Sequence, residues 1–528
     1  MQQPPSLPVV AVHLDLKSAA FRPGYLPEYL ETLADLRVNT LLLEYEDVFP
    51  FQCVDVIADQ PTAWRADTVK SFLDEAARLK IDIIPLQQCL GHLEYVYRWE
   101  RYRKHAEDRS YPSTLRLSSP AAKKQVLAML GEICDAHPAS RFVHLGMDEA
   151  HALVHAGKRM GKSVLDLFID WLLELTDFVE ARGKTPLIWS DMLEDHFEEL
   201  LDRRKSLDAL RDRVVFVPWD YDVQTETTPV TRIGGWRVSR EWRDDPMAPE
   251  APPLRDGVRY VEDLPPALLK IIKPFREGRM FNAVMQADVW TSLGFKLLGA
   301  TSVRNCFDLS VLPNEPAKRR NIDVWGDVIR RTNQWGLIGT SWSRGNSFCP
   351  PAYPVELQWP ATAHLSRVLG KRPKPIWPGI PAKQADALVL QLGRCRTDWA
   401  IEAQVADAMQ SLTPTINKRR IDWDAHAVMA RVYDWRRRAA FAIDEVEYFH
   451  ANHRPIDAEW TRRLNDQTAL LKEVKSLSRD VSLLFSQRYH GLAFVEWQLD
   501  LFDLMIEKLK HCQTVATRKR QLAKQAYA

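Results

Sequence analysis

Two adjacent carboxylates, Asp148 and Glu149, stand directly after the short apolar run 141–147. The run has the length and composition of a buried β-strand, and catalytic groups of parallel α/β proteins collect where strands end. Because neighbouring strand residues face opposite ways, the two acids cannot act as equivalent groups. They suit general acid–base chemistry in which each acid holds a different position around one substrate. The alternative is a strand that ends in two solvated acids at the start of a helix.

Other candidate strand ends carry acids, a histidine and aromatic residues of matching chemistry. These residues are Asp15, Lys17, Glu46, His92, Trp189, Asp191, Trp219, Tyr221, Asp222, Trp342 and Arg344. Carboxylates bind sugar hydroxyls, indoles present flat apolar faces to a pyranose ring, and an acid with a raised pKa can protonate a glycosidic oxygen. The set therefore suits a carbohydrate.

The composition is that of a globular protein without a polyanionic partner. Of 528 residues, 46% are hydrophobic, and 71 Lys and Arg balance 70 Asp and Glu. This balance gives no support for binding to nucleic acid or to an anionic membrane. The first residues lack a basic segment followed by a long apolar run, and no apolar stretch reaches membrane-spanning length. We therefore expect no signal peptide and no membrane partner. The seven scattered cysteines fit a reducing, cytoplasmic location.

Strand-like runs alternate with amphipathic stretches from residue 9 to about residue 365. The strand candidates are Val9–Asp15, Thr40–Glu46, Asp82–Gln87, Arg141–Met147, Pro186–Trp189, Val214–Trp219, one within Asn282–Trp290, and Leu337–Trp342. The helix candidates include Leu26–Leu36, Thr68–Leu79, Ala121–Ala136 and Val164–Ala181. Eight such units predict an α/β fold, a (β/α)8 TIM barrel over residues 1–370. An insertion at about 223–280, rich in Pro, Arg and Asp, is expected to shape the pocket or to make a contact.

Helical spacing of apolar residues after the proline-rich stretch 373–381 predicts an α-helical C-terminal domain over residues 371–528. The first stripe is Val428, Val432, Trp435, Ala439, Ala442, Val446 and Phe449, and similar stripes pass through Trp460 and Trp497. We interpret these aromatics as core residues of an antiparallel bundle. The bundle packs either beside the barrel or against a second subunit, and the second arrangement would be a homodimer.

The segment His144–Glu149 reads HLGMDE and resembles the His-x-Gly-Gly-Asp-Glu signature of glycoside hydrolase family 20, the β-N-acetylhexosaminidases. The resemblance is strongest to the hexosaminidase D branch of the family and covers about residues 9–365. Further blocks in matching order are HLDLK at 13–17, LLLEYEDVFPF at 41–51, IIPLQQCLGHLEYV at 83–96, PLIWSDML at 186–193, PWDY at 218–221 and LIGTSWSR at 337–344.

The resemblance implies an exo-acting enzyme that removes terminal β-linked GalNAc or GlcNAc from a glycan, without a cofactor or a metal. Retention would arise because the acetamido carbonyl of the substrate attacks its own anomeric carbon and forms an oxazolinium intermediate. Glu149 is then the general acid and later the general base, and Asp148 orients the acetamido group. The implied sugar contacts are Tyr221 to the acetamide oxygen, Trp189, Trp219 and Trp342 as pocket walls, and His92 as a support for the acid or the hydroxyls. Hexosaminidase D relatives favour N-acetylgalactosaminides.

The sequence departs from the family pattern in three regions. Lys17 and Ser18 occupy the region of an arginine that binds the outer hydroxyls, Arg344 replaces an acid after strand eight, and Met147 replaces the second glycine of the signature. Recognition of the ring hydroxyls is therefore the part that transfers least. The candidates for those contacts are Asp15, Glu46, Asp191 and Asp222, with plain surface acids as the alternative.

Two other functions compete with this interpretation. One is a barrel that binds carbohydrate without turnover. The other is a metal-dependent hydrolase that uses His13, Asp15, His92 and His144 as ligands, although the usual His-x-His of strand one is missing.

Overall fold

Eight parallel strands form the central sheet of the computed structural model. The structure describes residues 7–17, 21–241, 243, 254–278, 280–305, 311–349, 351–393, 401–412, 417–452 and 457–526. The strands are β1 (Val9–Asp15), β2 (Thr40–Glu44), β3 (Asp82–Leu86), β4 (Phe142–His144), β5 (Thr185–Trp189), β6 (Val215–Val217), β7 (Gly299–Arg304) and β8 (Gly336–Ser341). They pair in this order, and β8 pairs with β1. Parallel bridges from Phe216 to Leu297 and from Trp219 to Ala300 join β6 to β7, which closes the barrel.

A helix follows each strand and covers the outside of the barrel. These helices are Leu26–Asp35, Ala66–Arg78, Pro120–Ala136, Val164–Glu180, Arg204–Arg211, Met285–Ser292, Glu315–Thr332 and Trp359–Val368. Two of them begin at serines whose hydroxyls accept a backbone N–H of the first turn, Ser119 from Ala122 and Ser163 from Asp166. Such a cap is worth about 1 kcal/mol and fixes where the helix starts. The predicted TIM barrel is confirmed.

The alternation of each strand decides which side chains reach the barrel interior. Val9 and Ala11 of β1 lie in the interior, whereas Val10, Val12 and Leu14 pack against the surrounding helices. Residues that continue the inner set toward the carboxyl end are His13, Asp15 and Lys17 on β1, Glu44 and Glu46 after β2, and Trp189 on β5. The period of two therefore carries polar groups from the apolar interior to one end of the barrel.

The prediction for strand seven was wrong. Residues Met285–Ser292 form a helix whose Trp290 is fully buried, and the seventh barrel strand is Gly299–Arg304. A side chain at Gly299 would place its Cβ 2.6 Å from the Trp325 ring, so the strand needs small residues at this contact. The sequence GATSVR consequently lacks the large apolar residues by which buried strands are recognised.

The insertion after β6 forms two small three-stranded sheets and a helix. Their elements are Thr227–Thr228, Arg232–Ile233, Trp236–Val238, Val258–Arg259, Pro266–Ile272, Arg276–Glu277 and Met280–Asn282. The Trp236 indole N–H donates to Glu198, which lies on the short helix Phe197–Leu201 after β5. The insertion thus packs against the β5 loop, one of the two roles expected for it.

Helices make up most of the described residues after residue 381. They are Ala382–Leu392, Ile401–Gln410, Asn417–Ala451, Ala458–Phe485, Gly491–Gln498, the π-helical turn Leu499–Asp503, and Leu504–Ala526. The predicted stripe is buried, and Trp435, Phe449, Trp460 and Trp497 are core residues as expected. Within the described residues no helix has the length and hydropathy needed to span a membrane.

The helical region packs directly on the barrel. The buried Arg488 contacts Glu356 at 3.0 Å, and the Trp497 indole N–H donates to the carbonyl of Ala352 at 2.9 Å. The first of the two predicted arrangements, a bundle beside the barrel, is confirmed. The homodimer and the domain boundary at residue 371 stay predictions.

Candidate active site

The backbone after β4 turns sharply and separates the two adjacent acids. Gly146, Met147 and Glu149 all have positive φ, of 65°, 80° and 47°. A non-glycine residue in this region costs about 1–3 kcal/mol and persists only where the surroundings enforce it. The turns bury Asp148, which is 5% exposed, and leave the Glu149 side chain 46% exposed. Asp148 and Glu149 therefore occupy different environments, as expected, but the cause is this turn and not strand alternation, because β4 ends at His144.

The loop after β3 packs against this turn without intervening side chains. A Cβ at Gly91 would lie 2.0 Å from the carbonyl oxygen of Asp148, and a Cβ at Gly146 would lie 1.9 Å from Oε1 of Gln88. Glycine is required at both positions because the two loops approach so closely. The contact places His92, itself at φ 51°, beside the acid pair.

His92 lies between three carboxylates. Its Nε2 is 3.3 Å from Asp148 and 3.4 Å from Glu149, and its Nδ1 is 3.8 Å from Glu94. Burial by itself would lower the pKa of His92, but the charge of Asp148 and the bonds to Asp148, Glu149 and Glu94 hold it well above the ordinary value. The imidazole is accordingly a histidinium at neutral pH, and it carries a proton next to both acids.

The His92 bond also lowers the pKa of Glu149, against the opposing effect of partial burial. Glu149 is therefore a carboxylate at neutral pH while it contacts His92. A general acid needs a proton on its carboxyl group, and the histidinium 3.4 Å away is a donor positioned to supply it.

Asp191, at the end of β5, is a third acid beside Asp148 and Glu149. It accepts the backbone N–H of Glu149 at 3.0 Å. Burial and then the charge of Asp148 raise the pKa of Asp191 well above its ordinary value. Oδ1 of Asp148 is buried and has no hydrogen-bond partner in the described part of the chain. A buried carboxylate oxygen without a donor is unfavourable, so this atom is a natural acceptor for a ligand N–H.

Aromatic rings form a cluster at the same end of the barrel as the acids. Trp189, 1% exposed, lies 4.5 Å from the His144 ring and 6.0 Å from the half-buried Trp342. The rings of Trp219 and Tyr221 stack at 5.3 Å, and the Trp342 indole N–H donates to the Tyr221 hydroxyl at 3.2 Å. The structure thus brings together the four aromatic residues predicted from the sequence.

Lys17 is buried at the centre of an acidic cluster. Its Nζ is 3.2 Å from Glu46 and 3.7 Å from Asp15. Burial alone would lower the pKa of Lys17, but the carboxylates of Asp15, Glu46, Glu44 and Glu94 raise it well above its ordinary value. The ammonium group is therefore a fixed cation. Lys17 continues the inner alternation of His13 and Asp15, but its sequence position alone did not predict this acidic surrounding.

The other residues predicted to contact the sugar hydroxyls, Asp15, Glu46 and Asp222, lie in different surroundings. Asp15 accepts from the Ser343 N–H and hydroxyl at 3.0 and 2.9 Å, and from the Lys17 N–H at 2.8 Å, so it ties β1 to β8. Glu46 is buried at φ 46°, and burial raises its pKa well above the ordinary value. Asp222 is exposed after β6. Their roles toward a sugar stay predictions.

Two further acids were not selected from the sequence. Glu44 lies 3.0 Å from His13 Nε2 and accepts from Gln88 at 3.0 Å; although burial opposes it, the charges of Lys17 and His13 lower its pKa to about 2. Glu94 is buried beside His92. Glu44 belongs to the alternation of β2, which could have identified it, whereas Glu94 follows an irregular loop and had no such signal.

The three histidines of the metal alternative have separate partners. His13 bonds Glu44, His92 contacts the acid pair, and Nδ1 of His144 accepts the Gly146 N–H at 3.0 Å. Among the described residues no group of three or more His, Cys, Asp and Glu is arranged to hold a metal ion.

The fold and the site together define an α/β-barrel protein whose carboxyl end combines paired acids with an indole-lined pocket. Two curated proteins are similar to it in sequence. Hexosaminidase D of Homo sapiens is 32% identical over 218 residues, which is 40% of this chain and 44% of that protein. Hexosaminidase D of Bos taurus is 30% identical over 218 residues, which is 40% of this chain and 62% of that protein. The chain spans about half the length of these relatives.

The predicted resemblance to hexosaminidase D is thus confirmed. A chitobiase structure from Flavobacterium johnsoniae covers 98% of this chain and 73% of its own, at 13% identity and a TM-score of 0.46. No family model matches the chain.

Proposed function

We propose that this chain is an exo-acting β-N-acetylhexosaminidase that removes terminal β-linked GalNAc or GlcNAc with retention of configuration. The observation that carries the proposal is the difference in environment between the two acids that follow β4. A buried Asp148 keeps one oxygen without a hydrogen-bond partner among the residues that the structure describes, a half-exposed Glu149 faces solvent, and His92 contacts both. The similarity to hexosaminidase D supports the same reaction.

The reaction follows from these positions. The acetamido carbonyl oxygen of the substrate attacks the anomeric carbon while Glu149 gives a proton to the departing glycosidic oxygen. Asp148 accepts the acetamido N–H and stabilises the positive charge of the oxazolinium intermediate. Glu149, now a carboxylate, removes a proton from water as the water attacks the anomeric carbon and reopens the oxazolinium ring. Two inversions leave the configuration unchanged.

The aromatic residues fit the acetamido group and the ring. Trp189 and Trp342 would enclose the acetyl methyl, and the hydroxyl of Tyr221 would donate to the acetamide oxygen. Trp219 would lie against the sugar face. We assign the outer hydroxyls to the polar groups beside this pocket, with Lys17 and Glu46 in place of the family's arginine.

The natural partner would be a glycan or glycoconjugate with a terminal N-acetylhexosamine. The resemblance favours GalNAc over GlcNAc, and a cytoplasmic location remains part of the proposal. The substrate class rests on the acetamido contacts, since Asp148 and Tyr221 have no comparable partner on an unacetylated sugar.

A panel of nitrophenyl glycosides tests reaction class, anomer and acetamido dependence together. We expect turnover of β-GlcNAc or β-GalNAc and none of β-glucoside or β-galactoside, with NMR showing the β-anomer as the first product. A thiazoline analogue of the intermediate should inhibit the enzyme. Equal turnover of unacetylated sugars would contradict substrate assistance.

Two outcomes of the panel would favour the other functions. Binding of the free sugar without any turnover would indicate a carbohydrate-binding barrel. Loss of turnover on chelation, with recovery on adding zinc, would indicate a metal-dependent hydrolase.

A further inference from the structure

Two large aromatic side chains lie exposed side by side on loops at the carboxyl end of the barrel. Tyr111, on the loop after β3, is 49% exposed, and Phe348, on the loop after β8, is 57% exposed. Their ring centroids are 6.5 Å apart at an angle of 55°. Exposed aromatic surface of this size is unfavourable in water, so a cluster contributed by two separate loops indicates a binding surface.

Hydrogen bonds hold both rings in place. The Asn346 side-chain amide donates to the Tyr111 hydroxyl at 3.3 Å, and Asn346 Oδ1 accepts the Phe348 N–H at 2.9 Å. On the other side, the Leu93 N–H donates to the carbonyl of Ser113 at 2.9 Å. One asparagine thus connects the two rings, and the Tyr111 loop is fastened to the segment that carries His92.

The Tyr111 loop is bonded to the segment whose His92 contacts the proposed acid. Leu93 directly follows His92, and His92 contacts Glu149 at 3.4 Å. Partial burial raises the pKa of the Tyr111 hydroxyl, and the charges of Glu94 and Glu149 contribute to the rise, so the hydroxyl lies within electrostatic reach of both acids. Glu149 is the half-exposed member of the acid pair, and the leaving group must depart on its solvent side.

We propose that Tyr111 and Phe348 form a platform for the sugar ring on the leaving-group side of the scissile bond. The proposal rests on the hydrolase function, because it takes Glu149 as the residue that protonates the glycosidic oxygen. The terminal N-acetylhexosamine would occupy the tryptophan-lined pocket, and the next pyranose would lay its apolar face on the two rings. Tyr111 and Phe348 would then select glycan substrates over compounds with small leaving groups.

The test compares two substrates that share the terminal sugar. One is a β-linked N-acetylhexosaminyl disaccharide, and the other is the matching N-acetylhexosaminyl β-fluoride, which has no second ring. For the double variant Tyr111→Ala, Phe348→Ala we expect kcat/KM on the disaccharide to fall about 10- to 100-fold. On the fluoride the loss should stay below about threefold, since no ring reaches the platform.

Matched variants separate stacking from loop support. Tyr111→Phe and Phe348→Tyr keep the rings and should retain the rate on the disaccharide. Tyr448→Ala, which removes a 60% exposed tyrosine from the helix Asn417–Ala451, should affect neither substrate.

Each outcome of the comparison between disaccharide and fluoride decides either the platform or the hydrolase function. Equal losses on disaccharide and fluoride would show that the loops only support the catalytic residues, and undiminished cleavage of the disaccharide would show that no second ring stacks there. Both results overturn the platform while the hydrolase function stands. A wild-type protein that cleaves neither substrate overturns the hydrolase function, and the platform falls with it.

Discussion

The two ends of the barrel differ in their shape-forming and charged residues. The amino end holds a cavity of about 1110 Å³ lined largely by apolar residues such as Val9, Ile83, Phe142, Leu187 and Trp335. The carboxyl end holds the acid pair, its histidine and the Lys17 cluster. A large cavity by itself therefore does not identify the active site of this chain.

Two ion pairs, one at each end of the barrel, differ sharply in burial. The ion pair of Lys70 and Asp74 at the amino-end cavity leaves the side chains 76% and 66% exposed. The ion pair of Lys17 and Glu46 leaves them 2% and 1% exposed. Only the buried pair is fixed by its surroundings and can perturb the pKa values of its neighbours.

The backbone shows the same contrast. At the amino end, Arg37, Lys80 and Asn333 have positive φ, but each directly follows the end of a helix, where a left-handed residue is ordinary. At the carboxyl end, Met147 and Glu149 adopt positive φ without a helix to terminate. Positive φ at non-glycine residues that do not cap a helix therefore distinguishes the carboxyl end of the barrel, where we propose the active site, from the amino end.

The largest expected effect concerns the proposed acid. Glu149→Gln should lower kcat/KM on N-acetylhexosaminides with poor leaving groups by about 10²–10⁴-fold, because the amide cannot transfer a proton. Activated aryl glycosides should lose much less. Asp135→Asn, at the exposed rim of the amino-end cavity, serves as the control and should leave both rates unchanged. A Glu149→Gln enzyme with wild-type rates on all substrates would refute the assignment.

The second-largest expected effect is the loss of stability on replacing the buried Lys17. Lys17→Met should lower the free energy of unfolding by about 3–5 kcal/mol, because Asp15 and Glu46 remain buried without a counter-charge. Urea unfolding measures the change. A loss no larger than that of an exposed lysine would show that water or protonation compensates the acids.

The pH dependence of stability should reveal the histidinium. Since the folded pKa of His92 is raised, its contribution is fully present below the unfolded value of about 6.5 and is lost as pH rises through the folded pKa. Each unit of raised pKa is worth about 1.4 kcal/mol. The stability of wild type relative to His92→Asn should therefore decline from pH 6 upward; a difference that is constant or grows with pH would contradict the charged state.

The smallest expected effect is the change in stability on replacing Lys70 at the amino end of the barrel. Lys70→Met removes one partner of a solvated ion pair and should change the free energy of unfolding by less than about 0.5 kcal/mol. Comparing the free energies of unfolding of Lys70→Met and Lys17→Met tests whether burial causes the difference between the two ion pairs. Similar losses for both lysines would remove the distinction between the two ends.

Much of this organisation is readable from the sequence because it depends on periodicity. Alternation over β1 places His13, Asp15 and Lys17 on one face, and the apolar run before Asp148 and Glu149 predicts β4. Strand β7 escaped detection because its small residues are dictated by Trp325, a partner 26 positions away from Gly299.

The sequence by itself determined the barrel and the end at which the candidate site residues gather, since these follow from repeats of two and of 3.6 residues. Only the tertiary structure decided that Glu94 supports His92, that Lys17 is enclosed by acids, and that Tyr111 meets Phe348, 237 positions along the chain. These contacts join irregular loops from different strands. No local pattern encodes them, because loop conformation is set by the packing of one loop on another.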